Sequence, residues 1–433
     1  MENITVSIVP QKAGLISNSN NVVNALVRIE APDMPTTPVE RAPLNLALVL
    51  DRSGSMNGQP MMEAVRCARY VVDHLQQQDR CAIVIYDNEV EVIVPSQHVS
   101  DKKVFHRALE RVESRGMTAL HDGWLAGAEQ TALHPSVDAL SRVMLISDGG
   151  ANAGLTDPQA IAEHCRELAS AGVTTSTYGL GQHFNEDLMA TMASAGNGNA
   201  YYGESAEDLI DPFREEFDLL SNLFATNIEL QLEAPAEIQL KVLNGYKKLD
   251  NGAYQIPSLA YGGEVWAMIE MQVPRGYFDG LMSVSVKATG QAGVQMAGSA
   301  TLADLPILAA ADYDALQPNA LATARKQEVM VADYQRRARE ASLKGDWAAV
   351  DILIEEATEL AEDNEWLGDS LNSLRRYSLN RDGARFSKEA MYSSSKLSSR
   401  VADKYEERAS YCRTMEDSKP AFLRRKMEQG KRA

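Results

Sequence analysis

The residues with the clearest chemical potential follow a short apolar stretch near residue 50. There the sequence reads ALVLDRSGSMNG, with Asp51, Ser53 and Ser55 at alternate positions and Gly54 between the serines. Alternate spacing allows a curled loop to direct all three side chains inward, and Gly54 eases the turn. A carboxylate beside hydroxyl groups suits either a covalent catalyst or an oxygen cradle for a metal ion. This stretch alone leaves both kinds of chemistry open.

Two further polar residues are expected at the same edge of a sheet. Asp148 directly follows the apolar strand predicted for residues 142–147, just as Asp51 follows the strand predicted for residues 44–50. Parallel strands bring their carboxyl ends to one edge, which is where open α/β sheets bind ligands. Thr118 lies in the loop SRGMTALHDG, which should reach the same edge. The sequence therefore predicts one cluster of five polar side chains: Asp51, Ser53, Ser55, Thr118 and Asp148.

Physical chemistry narrows what this cluster could hold. Two carboxylates close together in a poorly solvated crevice repel each other, so they need a cation or raised pKa values. Three hydroxyl groups add oxygen ligands without adding charge. This donor set favours Mg²⁺, which keeps several waters, whereas Ca²⁺ takes more oxygen ligands and Zn²⁺ prefers His or Cys. We therefore expect Mg²⁺, with Ca²⁺ as an alternative, and a sixth ligand from an acidic side chain of another molecule.

The elements that would position these residues alternate between strands and helices from residue 44 to about 222. Apolar strands such as LNLALVL, CAIVIYD and RVMLIS are separated by stretches with helical spacing, such as PMMEAVRCARYVVDHLQQQ. Continuous apolar strands are typical of parallel sheets that are covered on both faces. Strict alternation of this kind predicts the α/β class, with a doubly wound, Rossmann-like parallel sheet.

The flanking segments have a different pattern. Residues 1–43 and 223–311 contain the period-two alternation that is typical of strands. Neither segment holds enough strands for a sandwich alone, so we expect them to pair into one β-sandwich, interrupted by the α/β domain at 44–222. Residues 312–433 are predicted to be helical, with a helical hairpin broken at Gly345 and a basic tail.

The composition weighs against several functional classes. The 433 residues include 42 basic and 60 acidic ones, and the formal charge of −18 repels nucleic acid and anionic membranes. No stretch approaches the about 18 uninterrupted apolar residues needed to cross a membrane, and the start lacks the pattern of a secretory signal. We therefore expect a cytoplasmic protein, with a leader missing from this sequence as the alternative. The four cysteines are scattered without a CxxC pair, which favours reduced core thiols.

Three short motifs together resemble the von Willebrand factor type A (VWA) domain. DRSGS at a first strand end, GMTAL in a mid-domain loop and SDGGAN after a later strand are similar to the three pieces of that family's metal-ion-dependent adhesion site. The similarity covers about residues 44–222, and all five ligand positions match: Asp51, Ser53, Ser55, Thr118 and Asp148.

The resemblance implies a Mg²⁺- or Mn²⁺-bridged protein-binding module. It further implies that Asp51 and the serines hold the ion. Thr118 and Asp148 would exchange direct and water-mediated contact when a partner's carboxylate binds. By the same resemblance we expect a multidomain bacterial scaffold or adaptor and no enzyme. The implied partners are AAA+ ATPases of the MoxR or chelatase type, or kinase and phosphatase pairs. No catalytic or organic-cofactor-binding residue is predicted.

The main alternative is a haloacid-dehalogenase-type phosphatase with Asp51 as the nucleophile and Mg²⁺ bound after a later strand. That chemistry prefers a second acid two residues after the nucleophile, where this chain has Ser53, and paired acids later, where Gly149 follows Asp148. A serine hydrolase would need a GxSxG motif, which the sequence lacks. A further alternative makes Asp51 and Asp148 helix caps that also bond loop amides.

Some features stay open at this point. His121 and His183 fall in or near the expected rim loops, where they could tune partner binding or be ordinary surface histidines. The serine run at 392–400 fits a helix end, a loop or a phosphorylation site. The basic tail, SKPAFLRRKMEQGKR, could dock an acidic partner or be solvated. One hypothesis is that this tail, or an acid in EEATELAEDNE, occupies the metal site in cis.

Overall fold

A computed structural model describes residues 4–34, 41–136, 139–181, 183–203, 206–276, 280–290, 293–361, 364–398 and 402–403. The chain divides into two compact units. The central unit is Val39–Asn222, and the flanking unit combines Met1–Pro38 with Leu223–Ala433. The flanking unit is therefore discontinuous in sequence.

The helices and strands form three blocks along the chain. The first block contains β1 (Thr5–Pro10), β2 (Leu15–Ile16) and β3 (Asn21–Glu30). The strands of the central block are β4 (Leu44–Asp51), β5 (Arg80–Tyr86), β6 (Val90–His98), β7 (Leu140–Ser147), β8 (Val173–Leu180) and β9 (Ala200–Gly203). Its helices are α1 (Gln59–His74), α2 (Lys102–Leu109), α3 (Leu120–Ala132), α4 (Pro158–Ser170), α5 (Glu186–Ala195) and α6 (Ile210–Ser221).

The third block begins with strands and continues with helices. Its strands are β10 (Leu223–Glu233), β11 (Gln239–Val242), β12 (Tyr254–Ile256), β13 (Leu259–Ala260), β14 (Gly263–Val273), β15 (Met282–Gly290), β16 (Gln295–Leu302) and β17 (Ile307–Leu308). Its helices are α7 (Ala310–Ala315), α8 (Ala320–Leu343), α9 (Trp347–Leu360), α10 (Glu365–Leu379) and α11 (Gly383–Ser398), followed by β18 (Ala402–Asp403).

The central unit is an α/β domain built on one six-stranded sheet. The strand order is β6-β5-β4-β7-β8-β9, and the neighbours from β5 to β9 are parallel. Every residue of β4 is buried, as expected of a central strand with helices on both faces. The α/β class with a parallel sheet is thus confirmed.

One strand of this sheet departs from the expected pattern. β6 runs antiparallel to β5 and forms the edge of the sheet. The predicted sheet contains only parallel strands and does not include β6. This strand is half exposed and has no continuous apolar run, so its pattern gives only a weak strand signal. A turn of three residues, 87–89, joins the two strands as a hairpin, so no crossover helix intervenes.

Helix α3 fixes the position of the loop that precedes it. Its buried face includes Leu120, Trp124 and Ala128, which pack in the apolar core with residues of β4, β5 and β7. The indole Nε1 of Trp124 also donates to Thr175 Oγ1 (3.0 Å) in β8. A buried aromatic ring with a satisfied polar atom anchors the helix to the sheet. The start of α3 is therefore held at the carboxyl ends of the strands.

The flanking unit contains two antiparallel sheets. One has the order β1-β3-β14-β11, with β18 also pairing with β14, and the other has the order β12-β10-β15-β16, with β13 also pairing with β10. The N-terminal strand β3 pairs with β14 over its whole length, from Asn21↔Val273 to Glu30↔Glu264. The inward side chains of both sheets, such as Val27, Ala267 and Val284, share one apolar core.

The C-terminal part of the described chain is helical. Asp346 caps α9 by accepting from the amide of Ala349 (3.1 Å), and Gly345 has φ +73° between α8 and α9. The serine run lies in α11 as far as Ser398. The basic tail lies outside the described residues. Within the described part, no helix combines the length and apolar character needed to span a bilayer.

The cysteines of the described residues are free and buried. Cys67 and Cys165 lie in helices and Cys81 lies in a strand. Burial raises the pKa of the Cys67 thiol and that of the Cys165 thiol to about 12. These thiols are therefore protonated and unreactive at neutral pH, whereas Cys412 lies outside the described residues.

Candidate functional site

The five predicted residues lie at the carboxyl edge of the central sheet. Asp51 is the last residue of β4 and Asp148 directly follows β7, and these strands are neighbouring and parallel. Ser53 and Ser55 belong to residues 51–56, which we call the serine loop. Thr118 belongs to residues 114–119, the threonine loop, which leads into α3.

Hydrogen bonds join four of these residues into one network. Ser55 Oγ donates to Asp148 Oδ1 (2.7 Å) and lies 3.1 Å from Ser53 Oγ. The amide of Ser53 donates to Asp51 Oδ1 (2.8 Å), which closes the serine loop on its own aspartate. The second oxygen of Asp51 accepts from Ser147 Oγ (2.5 Å). The two carboxylates are therefore connected through two hydroxyl groups.

Thr118 is the fifth residue, and it lies beside Gly149. The point where a β-carbon would stand on Gly149 is 3.2 Å from Thr118 Oγ1 and 3.7 Å from Ser55 Oγ. Thr118 is held by Asn152, whose Oδ1 accepts from the Thr118 amide (2.8 Å) and whose amide donates back to the Thr118 carbonyl (3.1 Å). The absence of a side chain at residue 149 thus leaves a cradle bordered by two hydroxyl oxygens.

The electrostatics of the cradle favour a cation. Burial raises the pKa of Asp51 to about 6, against the hydrogen bonds from Ser147 and Ser53, and the charge of Asp148 raises it further. Burial also raises the pKa of Asp148, although the Ser55 hydroxyl and the nearby His183 lower it. Both carboxylates are thus costly to ionise here, and a bound cation would relieve that cost.

The chemistry of the donors indicates which cation fits. Among the described residues, no group of three or more His, Cys, Asp or Glu side chains is placed to hold a metal. The cradle instead offers two carboxylates and three neutral hydroxyl oxygens. Such a set suits a hard, oxygen-binding ion that retains water, as Mg²⁺ does. The residues present therefore fit Mg²⁺, the ion predicted from the sequence.

The helix-cap alternative fails for both aspartates. The residue that caps α1 is Gly58, and the side chain that caps α4 is Asp157, which accepts from the Ala160 amide (2.8 Å). Asp51 does bond one loop amide, that of Ser53. Helix capping, however, explains neither Asp51 nor Asp148.

The two histidines near the expected rim differ from each other. His121 is buried (6% exposed), so the expectation of an ordinary surface histidine is wrong for it. Its Nε2 lies 3.0 Å from His164 Nδ1, and burial together with His164 lowers the pKa of His121 against the effect of Asp122. His183 is exposed and lies near Asp148.

Three residues that contact the site or its loops are not among the five predicted ones. Ser147 is the last residue of β7 and binds Asp51, but serine at a strand end carries no specific signal. Asn152 lies within the motif SDGGAN, but the motif gives no signal for its contact with Thr118. Asp87 directly follows β5, so the rule that singled out Asp51 and Asp148 also applies to it.

The fold and the site together define an α/β domain with a polar cluster at the carboxyl edge of its sheet. Residues 45–215 match the sequence model of the von Willebrand factor type A domain. The chain therefore contains a VWA domain.

Three relatives each match about half of the chain. Protein sll0103 of Synechocystis sp. is 31% identical over 207 residues, which are 47% of this chain and 48% of that protein. YfbK of Escherichia coli is 28% identical over 47% of this chain and 36% of its own. Human inter-alpha-trypsin inhibitor heavy chain H3 is 26% identical over 49% of this chain and 24% of its own. The chain thus spans less than half the length of these relatives.

Two solved structures share the fold over most of the chain. A von Willebrand factor type A protein from Catenulispora acidiphila has a TM-score of 0.68 at 17% identity and covers 90% of this chain and 97% of its own. The ArnB paralog VWA2 from Sulfolobus acidocaldarius has a TM-score of 0.58 at 17% identity, covering 92% and 99%. At 17% identity, these similarities show a shared fold and nothing about function.

Proposed function

We propose that the VWA domain binds another protein through a divalent ion held by the five residues of the cradle: Asp51, Ser53, Ser55, Thr118 and Asp148. The observation that carries this proposal is the network in which Ser55 Oγ donates to Asp148 while contacting Ser53 Oγ, beside a buried Asp51 of raised pKa. Mg²⁺ is the proposed physiological ion, with Mn²⁺ and Ca²⁺ as alternatives.

Each residue contributes differently to such a site. A bound divalent ion would supply an electrophilic position that accepts a carboxylate oxygen from the partner. Asp51 supplies charge from a fully buried position (0% exposed), and Ser147 and the Ser53 amide fix its two oxygens. Ser53, Ser55 and Thr118 orient neutral oxygens, so part of the positive charge remains for the partner. Ser55 is exposed, which places the opening of the cradle on its side.

The same geometry supports binding over phosphoryl transfer. A nucleophilic aspartate needs an oxygen that an incoming phosphate can reach. Asp51 is fully buried, so its oxygens are out of reach of a phosphate group. The position two residues later is Ser53, which cannot act as the general acid of a phosphatase. We therefore propose a non-catalytic scaffold or adaptor and no phosphatase.

The proposed partner is a protein that presents an aspartate or glutamate side chain to the ion. By the resemblance stated above, an AAA+ ATPase of the MoxR type and a kinase and phosphatase system are the candidate partners. We propose a multidomain bacterial protein that acts in the cytoplasm. A pull-down from cell extract, run in Mg²⁺ and again in excess chelator, tests the metal dependence of capture.

The decisive experiment is calorimetric titration of Mg²⁺ and Mn²⁺ into chelator-treated protein. We expect saturable binding in the wild type and none in Asp51→Ala, with an unchanged far-ultraviolet circular dichroism spectrum and no phosphatase turnover in either sample. Asp157→Ala is the matched control, because it removes an exposed aspartate that caps α4 and leaves the cradle intact. Turnover that depends on Asp51, or binding that survives Asp51→Ala, would refute the proposal.

A further inference from the structure

An ion-paired aspartate lies behind the two loops, at the end of the neighbouring strand. Asp87 directly follows β5 and is fully buried (0% exposed). Its Oδ1 accepts from the amide of Glu89 (2.6 Å). Its Oδ2 lies 3.0 Å from Nε of Arg52 and accepts from Nε of Arg115 (2.9 Å). Arg52 belongs to the serine loop and Arg115 to the threonine loop, so one carboxylate oxygen joins the two loops.

Backbone hydrogen bonds also join the serine loop to the threonine loop. The amide of Arg115 donates to the carbonyl of Arg52 (2.7 Å), and the amide of Gly54 donates to the carbonyl of Gly116 (3.1 Å). The amide of Ala119 donates to the carbonyl of the same buried aspartate (2.8 Å). The serine loop and the threonine loop are therefore hydrogen-bonded to each other next to Asp87, and the threonine loop is also hydrogen-bonded to Asp87 itself.

Gly116 shows how closely the threonine loop approaches this aspartate. Its φ is +75°, and a β-carbon built on it would stand 2.2 Å from Asn88 Oδ1 and 3.2 Å from Asp87 Cβ. The positive φ favours glycine, and a β-carbon would force the exposed Asn88 side chain to move. Gly116 lies two residues before Thr118. The threonine loop therefore contacts the turn that contains Asp87 close to the predicted metal ligand.

The charge on Asp87 persists at neutral pH. Burial raises its pKa, but the Glu89 amide and the guanidinium groups of Arg115 and Arg52 outweigh burial and hold the pKa below its ordinary value. Arg115 is 58% exposed and also lies 2.9 Å from Glu89, so its contribution is screened by solvent. Arg52 is only 7% exposed and provides the buried half of the contact.

We propose that Asp87 is a positioning residue of the metal site, which holds the serine loop and the threonine loop at the spacing the ion requires. We assign it no contact with the ion, because Arg52 and Arg115 already neutralise its carboxylate. The inference rests on the proposed metal-dependent function. Residues that orient metal ligands typically change metal affinity by about 10- to 100-fold when they are removed.

The chain offers a matched control at the other end of the same strand. Asp79 directly precedes β5, is equally buried and pairs with Arg41 (2.5 Å). It also accepts from the amides of Leu44 and Gln76. Asp79→Asn therefore removes a buried, arginine-paired carboxylate from the edge of the sheet that lacks the cradle.

The test compares Asp87→Asn with Asp79→Asn by calorimetric titration of Mg²⁺ and by amide hydrogen exchange. We expect Asp87→Asn to weaken Mg²⁺ binding about tenfold and to speed exchange at Gly54, Arg115 and Ala119. Asp79→Asn should leave both quantities unchanged even where it lowers the melting temperature.

A surface variant guards against a failure to fold. Arg115→Ala removes one of the two loop contacts from an exposed position, and Arg66→Ala, at 56% exposure and paired with Glu63, is its control. Arg115→Ala should speed exchange at the same three amides. In the Asp87→Asn background, Arg115→Ala should speed amide exchange little further, because both substitutions remove the same contact between Arg115 and Asp87.

The outcomes separate this inference from the proposed function. Unchanged exchange at the three amides in folded Asp87→Asn or Arg115→Ala would overturn the positioning role, as would equal effects in Asp79→Asn. If the wild type bound no metal, the proposed function would fail and the metal-site role of Asp87 with it. The exchange data would then decide only whether Asp87 fixes the two loops.

Discussion

Buried acids at the amino edge and at the carboxyl edge of the central sheet differ in the direction of their pKa shifts. Toward the amino end of β7, Arg142 pairs with Glu216 of α6, and Ser176, Tyr201 and Asn199 donate to the same carboxylate. Burial raises the pKa of Glu216, but the charge of Arg142 and these hydrogen bonds outweigh burial and lower it. At the carboxyl edge, burial instead dominates and raises the pKa values of the two cradle acids.

This contrast separates acids that stabilise the fold from acids that are set to receive a ligand. A buried carboxylate with a fixed arginine is already neutralised by the protein. A buried carboxylate that is surrounded by hydroxyl groups keeps its need for a cation. Asp87 lies at the carboxyl edge but is neutralised by arginines, like Glu216 at the amino edge. For this reason we assign it to positioning and not to metal binding.

The largest effect is expected from breaking the pair at the amino edge. Arg142→Ala leaves Glu216 buried without its cation, which costs about 3–5 kcal/mol in the free energy of unfolding. Urea denaturation followed by circular dichroism measures this loss. Asp51→Ala should cost much less, because it removes a repelling charge. Equal losses in the two variants would erase the distinction between the edges.

The pH dependence of stability should follow from the same pair. The folded pKa of Glu216 lies below its ordinary value of 4.5, so the unfolded chain takes up the proton first as the pH falls. The stabilisation is therefore complete above pH 4.5 and is lost progressively below it, as the pH falls toward the folded pKa. Urea midpoints measured across this range should fall less steeply in Glu216→Gln than in the wild type. Parallel slopes would contradict this sign.

Thr118→Ala should distinguish metal binding from partner binding. The threonine supplies one neutral oxygen beside the cradle, and Asn152 fixes its backbone on both sides. We expect the variant to keep most of its Mg²⁺ affinity in calorimetry and to lose more of its metal-dependent capture of partner. The assigned role would be wrong if Thr118→Ala lost the ion as completely as Asp51→Ala.

The smallest effect is expected from filling the cradle with one methyl group. In Gly149→Ala the new β-carbon would lie 3.2 Å from Thr118 Oγ1 and 3.7 Å from Ser55 Oγ, so the threonine must shift slightly. Mg²⁺ affinity should drop a few-fold while the melting temperature changes little. Gly150→Ala is the control, since no atom lies within 4 Å of its β-carbon position. Equal effects in both variants would point to the backbone and not to the cradle.

The sequence predicted what depends on local pattern. Continuous apolar strands and intervening helical spacing predicted the α/β class, and the position directly after a strand identified Asp51 and Asp148. Strand β6 was not predicted, because its side chains are half exposed and its apolar residues alternate only weakly with polar ones. The burial of His121 escaped because it depends on α4, whose His164 contacts it.

Contacts between distant loops could not be predicted from local pattern at all. Arg115 and Arg52 meet at Asp87 only because two strand ends and the loop between α2 and α3 fold onto one edge of the sheet. No periodicity or motif records which arginine will reach which acid, since long side chains can pair in several ways. Three-dimensional neighbours of a motif therefore have to be read from the structure.

The pairing of β3 with β14 has a consequence for biosynthesis. Glu30 and Glu264 are opposite each other, so β14 must leave the ribosome before this ladder of the sandwich can form. The described strands of the central domain, in contrast, lie between residues 44 and 203, so this domain can fold while the later strands are still being made. Its early folding would shorten the effective distance between the two halves of the sandwich and lower the entropy cost of joining them.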